Sequence, residues 1–210
     1  MTNLEKRILT SVIILPLSIF FIVKGGYFLT FFLTFIFFAG VHELSSVFKK
    51  KKSTIFLSLI LILSLFSIYY LSEVEPKLLY FAIAVTISSD IGGYVFGKIF
   101  KWKKLTKISP KKTFSGVFGS YFFSLLCLFI WNEFALGLYT TFPNMISALL
   151  WTIIFSTVAQ GGDLIISYLK RLEKIKDSGK ILPGHGGIFD RIDGLMFVVI
   201  LASIYYYLII

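Results

Sequence analysis

Charge is what this sequence has least of. Only 15% of its 210 residues are Asp, Glu, Lys or Arg, whereas 57% are hydrophobic and 24 are phenylalanine. A water-soluble domain of this length exposes more charge, and no single core hides so many aromatic rings. A soluble fold is therefore excluded. The one cysteine, Cys127, excludes an intrachain disulfide, and its apolar surroundings mark it as a packing residue. Histidine is equally sparse: His185 has no second His or Cys nearby, which is a poor zinc set. No Walker-type glycine loop and no G-x-G-x-x-G is present, so a soluble-type nucleotide fold is excluded as well. There is no internal repeat of fixed period and no low-complexity linker. Acidic residues are outnumbered, 11 against 21 basic, for a net charge of +10. In an oily chain such an excess belongs to loops beside anionic lipid, and it carries no implication of nucleic-acid binding.

What is present is apolar sequence in long runs, with a mean hydropathy of +0.86. A helix needs about 20 apolar residues to cross a bilayer, and about seven stretches qualify: Ile8–Val23, Tyr27–Phe48, Thr54–Leu71, Leu78–Phe100, Gly116–Phe134, Asn144–Ile166 and Ile192–Ile210. The first and third are short. The first lacks a small-residue cleavage site and is read as a retained helix rather than a signal peptide. The expected fold is all-α, a polytopic integral membrane helical bundle. Residues 1–77 would form amino-terminal transmembrane helices and residues 78–210 a carboxy-terminal catalytic membrane domain.

The connecting loops orient this bundle. Lys6 and Arg7, then Lys49–Lys52, then the lysines between Lys98 and Lys112, then the segment after Ile166 are all basic. The loops between them are poor in cations. That alternation fits seven spans with the amino terminus in the cytoplasm. The same topology brings Asp90, Asp163, Asp190 and Asp193 to one depth on the cytoplasmic side. Ionisable groups at such a depth are functional candidates; for Asp90 the alternative is an ion-pair lattice with Lys98 and Arg191.

The densest polar chemistry lies between Ser167 and Asp193. If the sixth helix continues to about Ile175, Asp163, Ser167 and Lys170 share one face. Two turns apart, the carboxylate and the ammonium are placed to hold a metal ion and a phosphate side by side, or else to form a polar interface stripe with Arg171 snorkelling to headgroups. The Pro and Gly of Leu182–Gly187 end any helix, and the backbone N–H groups of Gly186 and Gly187 suit an anion nest. His185 there would bind phosphate, donate a proton or cap a turn. Asp190 and Asp193 share a face if the seventh helix has begun. Two hard carboxylates with substrate phosphates are a usual way to hold Mg²⁺. The other basic segment, Ser109-Pro110-Lys111-Lys112-Thr113 before a helix, can receive a triphosphate tail. His42-Glu43 is a further polar pair in the second span, read as helix packing or a lining of the polar cavity.

The run from Ser167 to Asp193, with Ser167-Tyr-Leu-Lys170-Arg171, Lys176-Asp177-Ser-Gly179 and Leu182-Pro-Gly-His185-Gly186-Gly187-Ile188-Phe-Asp190-Arg191-Ile-Asp193, closely resembles the signature of the phosphatidate cytidylyltransferase (CDP-diacylglycerol synthase) family. Gln160-Gly-Gly-Asp163-Leu164 and Asp90-Ile-Gly-Gly-Tyr94 followed by Ser109–Thr113 resemble further family segments. The resemblance implies a multi-pass enzyme of the bacterial inner membrane with its active site facing the cytoplasm. It implies CTP and phosphatidic acid as substrates, CDP-diacylglycerol and pyrophosphate as products, Mg²⁺ as cofactor with K⁺ as a candidate second cation, and a homodimer.

Carried over by position, Asp163 and Asp190 are similar to the metal-holding carboxylates, with Asp90 and Asp193 as further candidates, and Lys170 is similar to a phosphate ligand. Ser109, Lys111, Lys112, Thr113, Ser167, Arg171, His185, Gly186, Gly187 and Arg191 are the expected substrate-binding set. Two departures stand out: the amino-terminal half is short, and Ser115 stands where an acidic residue is common. The rival reading is a small ion or solute transporter using the same carboxylates. It would place its polar groups near midplane on repeated halves, and neither feature is visible. A CDP-alcohol phosphotransferase would carry spaced Asp-Gly and Ala-Arg pairs, which are absent.

Overall fold

Hydropathy sets the elements and glycine, proline and asparagine set their ends. In the computed structural model, which describes residues 3–106, 108–134, 141–179, 181 and 186–209, the helices are α1 (Asn3–Lys24), α2 (Gly26–Val47), α3 (Lys51–Val74), α4 (Pro76–Phe100), α5 (Phe114–Phe134), α6 (Met145–Leu172) and α7 (Phe189–Ile209). Gly25 and Gly26, at φ +64° and +50°, reverse the chain between α1 and α2. Pro76 opens α4, where its missing N–H costs nothing. Asn144 caps α6 by accepting the Ser147 N–H at 2.8 Å. Lys104 and Thr113 form an isolated antiparallel β-bridge.

The all-helical membrane bundle is therefore as expected. Among the described residues six helices, α2 to α7, are long and apolar enough to cross a membrane, and Val12–Lys24 is a shorter apolar stretch within α1. One boundary differs usefully. The third helix, expected at Thr54–Leu71, begins at Lys51 and runs 24 residues to Val74. Hydropathy stops at the first charge, whereas the helix does not, because lysine is a good helix former whose ammonium stays in water.

Two apolar cores hold the bundle. One gathers Leu71, Phe81, Val85, Phe155, Val199 and Tyr205 from α3, α4, α6 and α7, and Tyr205 spends its hydroxyl on the Thr141 carbonyl at 3.0 Å. The other joins Leu29, Leu57, Leu61, Ile166, Phe189 and Met196 from α2, α3, α6 and α7. Outward faces are just as oily: Phe31, Phe35 and Phe38 of α2 are each at least 60% exposed, as lipid-facing side chains are.

Small residues bring α4 and α5 together. A Cβ on Gly92 would run into the Gly119 carbonyl, and one on Gly119 into the Gly92 carbonyl and the Phe96 ring. Such contact gives dispersion and hydrogen bonding in a solvent that offers no hydrophobic drive. Ser120 Oγ donates to the Ser89 carbonyl at 2.7 Å, and Ser89 Oγ meets Ser156 Oγ at 3.0 Å. These bonds lock α4, α5 and α6 just beneath the site.

Candidate active site

At 28 residues, α6 is about 42 Å long, against a hydrocarbon core of about 30 Å. Its last turns therefore reach the membrane boundary, and there it carries Asp163, Ser167 and Lys170. The three share a face as the spacing predicts: Ser167 Oγ donates to Asp163 Oδ1 at 3.2 Å. Asp163 and Lys170 do not pair with each other, and each finds a partner from another part of the chain.

Asp163 is met by Lys112, whose Nζ lies 2.7 Å from Oδ2 and also donates to the Gln160 carbonyl at 3.2 Å. Lys112 is delivered by a narrow turn between α4 and α5. The Leu105 N–H donates to the Lys112 carbonyl at 2.8 Å, the Phe114 N–H to the Lys103 carbonyl at 3.1 Å, and the Lys112 N–H to the Ser109 carbonyl at 3.0 Å. Thr113 then starts α5 by accepting the Gly116 N–H at 3.1 Å. Between this turn, α4 and α6 lies a cavity of about 250 Å³, lined by Asp90, Asp163, Ser109, Lys111, Lys112 and Thr113 among others. It places two carboxylates opposite two lysines. Asp193, from the first turns of α7, has Asp163, Asp90 and Lys170 as its charged neighbours.

Lys170 is met by Asp190, with Nζ 2.7 Å from Oδ1. The lysine is 8% exposed. The other oxygen of Asp190 accepts the backbone N–H of Ser178 at 2.8 Å and of Gly187 at 3.0 Å. Gly186 stands at φ +86°, and a Cβ there would sit 2.7 Å from Asp190 Oδ2, so the turn admits no side chain. Asp190 thus holds a lysine and two ends of the glycine-rich segment at once.

Of the sequence candidates, the cavity gathers Asp90, Asp163, Ser109, Lys111, Lys112 and Thr113. Lys170, Asp190, Gly186 and Gly187 form the second cluster, and Ser167 stands between the two on α6. Arg171 is exposed and reaches backbone, donating from Nε to the Ile108 carbonyl at 3.4 Å and from Nη1 to the Ile175 carbonyl at 2.9 Å. It ties the lysine-bearing turn to the end of α6. Arg191 is exposed at the start of α7. His185 and the Leu182–Gly184 stretch before it lie outside the described residues. Ser115, given no role above, is buried and shares a 2.9 Å hydroxyl contact with Thr113.

Two participants go beyond the expected site set. The carbonyl of Gln160 holds Lys112, and Glu43, from α2, accepts the Ile188 N–H at 2.7 Å. The His42-Glu43 polar pair in an apolar run, expected as packing or cavity lining, does not by itself say what Glu43 faces.

Among the described residues no three His, Cys, Asp or Glu side chains are grouped so as to hold a metal ion unaided. The donor set nonetheless suits Mg²⁺. Its oxygens are hard carboxylates, two of them open on one cavity, and Mg²⁺ is ordinarily held by one or two carboxylates with substrate phosphates and water completing its shell.

Comparison with known proteins follows the same lines. The sequence profile of the cytidylyltransferase family matches residues 56–209. The chain is 35% identical over 205 residues to a phosphatidate cytidylyltransferase of Rickettsia felis, an alignment covering 92% of this chain and 88% of the relative. A phosphatidate cytidylyltransferase of Rickettsia conorii is 33% identical over 206 residues, covering 93% and 87%. One from Staphylococcus epidermidis is 42% identical over 125 residues, 59% of this chain and 46% of that protein.

Proposed function

The chain belongs to the cytidylyltransferase family, and from that premise we propose that it transfers the cytidylyl group of CTP to phosphatidic acid. An oxygen of the lipid phosphate attacks the α-phosphorus of CTP, the bond from that phosphorus to the bridging oxygen breaks, and pyrophosphate leaves with the electron pair. CDP-diacylglycerol remains in the membrane. The nucleophile is already an anion, so no strong base is needed. What the protein must supply is charge screening between two polyanions, alignment, and stabilisation of the leaving group.

The observation that carries this reading is the cavity at the end of α6, where Asp90 and Asp163 face Lys111 and Lys112. Lys111 and Lys112 neutralise the triphosphate, and Ser109 and Thr113 offer hydroxyls to it. Lys170 holds a substrate phosphate beside them, with Ser167 on the same face. Asp163 and Asp190, with Asp90 and Asp193 as neighbours of Asp163, are the carboxylates that would hold Mg²⁺. When bound, that ion draws charge from the phosphates and the departing pyrophosphate. Asp163 and Asp190 are each matched to a lysine that can exchange its carboxylate for a phosphate as substrate arrives.

The place suits both substrates, since a site at the end of a membrane helix meets a lipid headgroup and a water-borne nucleotide together. The basic loops support a cytoplasmic orientation for that end, and the bacterial relatives support the plasma membrane as its location. A homodimer and a second cation such as K⁺ belong to the same reading and are supported by the family resemblance alone.

A turnover assay tests it. Purified protein in detergent is given phosphatidic acid and radiolabelled CTP with Mg²⁺ or with EDTA, and label extracted into lipid is counted. Mg²⁺-dependent lipid label is the expected result. No lipid label, across several phosphatidic acids and detergents, overturns the proposal.

A further inference from the structure

Glu43 is a carboxylate in the membrane-spanning α2, 1% exposed, and the reaction as described above does not use it. Its surroundings are specific. Oε2 accepts the Ile188 N–H at 2.7 Å across a separation of 145 residues. A Cβ on Gly179 would lie 2.9 Å from Glu43 Cγ, and one on Gly187 would run into Glu43 Oε1 and Ser178 Oγ. Gly179 and Gly187 therefore lie directly against this side chain, where it needs room.

The next amide along decides what this does. The Gly187 N–H points to Asp190 Oδ2 while the Ile188 N–H points to Glu43 Oε2. Two successive amides are thus aimed at two different carboxylates. Holding the Ile188 N–H at Glu43 restrains Gly187, whose own N–H meets Asp190 Oδ2, and so supports the arrangement that leaves Oδ1 for Lys170. A buried carboxylate is a costly filler if packing were all that was required. What the site needs is an acceptor oxygen at that reach, since the buried Ile188 N–H would otherwise be left without a partner.

We propose that Glu43 is a positioning residue for the transfer reaction: it holds Gly179, Gly187 and Ile188 from the α2 side and through them orients Asp190 and Lys170, without touching substrate. This rests on the reading of Asp190 and Lys170 as reaction machinery. Among the described residues, none from 178 to 188 lines the cavity with Lys111 and Lys112, so nucleotide binding is separable from this contact.

The test uses the full chain in detergent with E43Q, E43D and E43A, read by two measurements. Glutamine keeps an acceptor at the same reach, whereas aspartate keeps the charge and withdraws it by one methylene. Amide hydrogen exchange followed by mass spectrometry should rise at least about tenfold over 178–190 in E43D and E43A, while α4 and α5 exchange as in the wild type. In the same two variants kcat should fall by about 50-fold or more, the scale of a misplacement of about 1 Å, with KM for CTP within about threefold. E43Q should stay within about fivefold of wild type in both measurements. If E43A does not insert, E43D carries the comparison. Wild-type kcat in E43D, or exchange that rises equally in α4 and α5, overturns the proposal. An inactive wild-type protein would instead count against the transfer reaction, since the exchange experiment needs no turnover.

Discussion

Lys112 Nζ stands 2.7 Å from Asp163 Oδ2, joining the turn before α5 to the outer end of α6. The two side chains are 22% and 31% exposed, so the pair faces partly into solvent and adds at most about 1 kcal/mol to stability. Its value is electrical. It keeps a lysine at the mouth of the cavity with a carboxylate that a cation can take over.

Lys112→Ala should therefore leave the melting temperature within a few degrees of wild type and raise the KM for CTP by at least about tenfold. Initial rates over a CTP titration, beside a thermal melt in the same detergent, check both halves. An unchanged KM would remove Lys112 from the triphosphate site.

Asp163→Asn and Asp190→Asn should both abolish turnover, yet their stabilities should part company. Asn at 163 disturbs a half-open pair, with a loss of about 1 kcal/mol or less. Asn at 190 strands the buried ammonium of Lys170, a change on the order of 3–5 kcal/mol. Denaturation of the two purified variants distinguishes them, and equal stability would mean that Lys170 finds another partner.

Gly119→Ala and Gly161→Ala make a matched pair. The first drives a methyl into the Gly92 carbonyl and the Phe96 ring, and the second meets nothing within 4 Å. We expect Gly119→Ala to destabilise by about 2 kcal/mol or more, as overpacking does, and Gly161→Ala to be neutral or stabilising by up to about 1 kcal/mol. Thermal melts decide it.

Orientation is open to a chemical test. With Cys127 replaced by Ala, single cysteines at Lys51 and Lys111 should react with a membrane-impermeant maleimide only from the cytoplasmic side, and one at Glu73 only from the other. Labelling in inside-out and right-side-out vesicles reads this directly. The reverse pattern would place the cavity outside the cell.

Much of this molecule was legible beforehand. Runs such as Leu78–Phe100 announce a span, and α4 covers Pro76–Phe100. The spacing of Asp163, Ser167 and Lys170 announces one face, and the Ser167–Asp163 bond shows it. The glycines at 186 and 187 announce a place without room for side chains, although the crowding atoms, Asp190 Oδ2 and Glu43 Oε1, could not be named. Glu43 itself was read as packing or lining, because an isolated carboxylate in an apolar helix gives no hint of a partner 145 residues away.

The division has a physical cause. Whether a stretch enters a membrane, where it begins to be helical and which of its residues share a face are settled within a few neighbouring residues, by transfer free energy and by 3.6-residue geometry. Local sequence is therefore enough for the membrane bundle, its helices and the crowding of carboxylates and lysines at one end. Which lysine meets which carboxylate depends instead on how the helices pack. The close crossing of α4 and α5 through Gly92 and Gly119 sets where the turn carrying Lys112 lies. The packing of α2 on α3, and of α3 on α7, sets Glu43 beneath Ile188. That Asp163 holds Lys112 while Asp190 holds Lys170 follows from packing, because contacts between distant segments exist only after those helices have met.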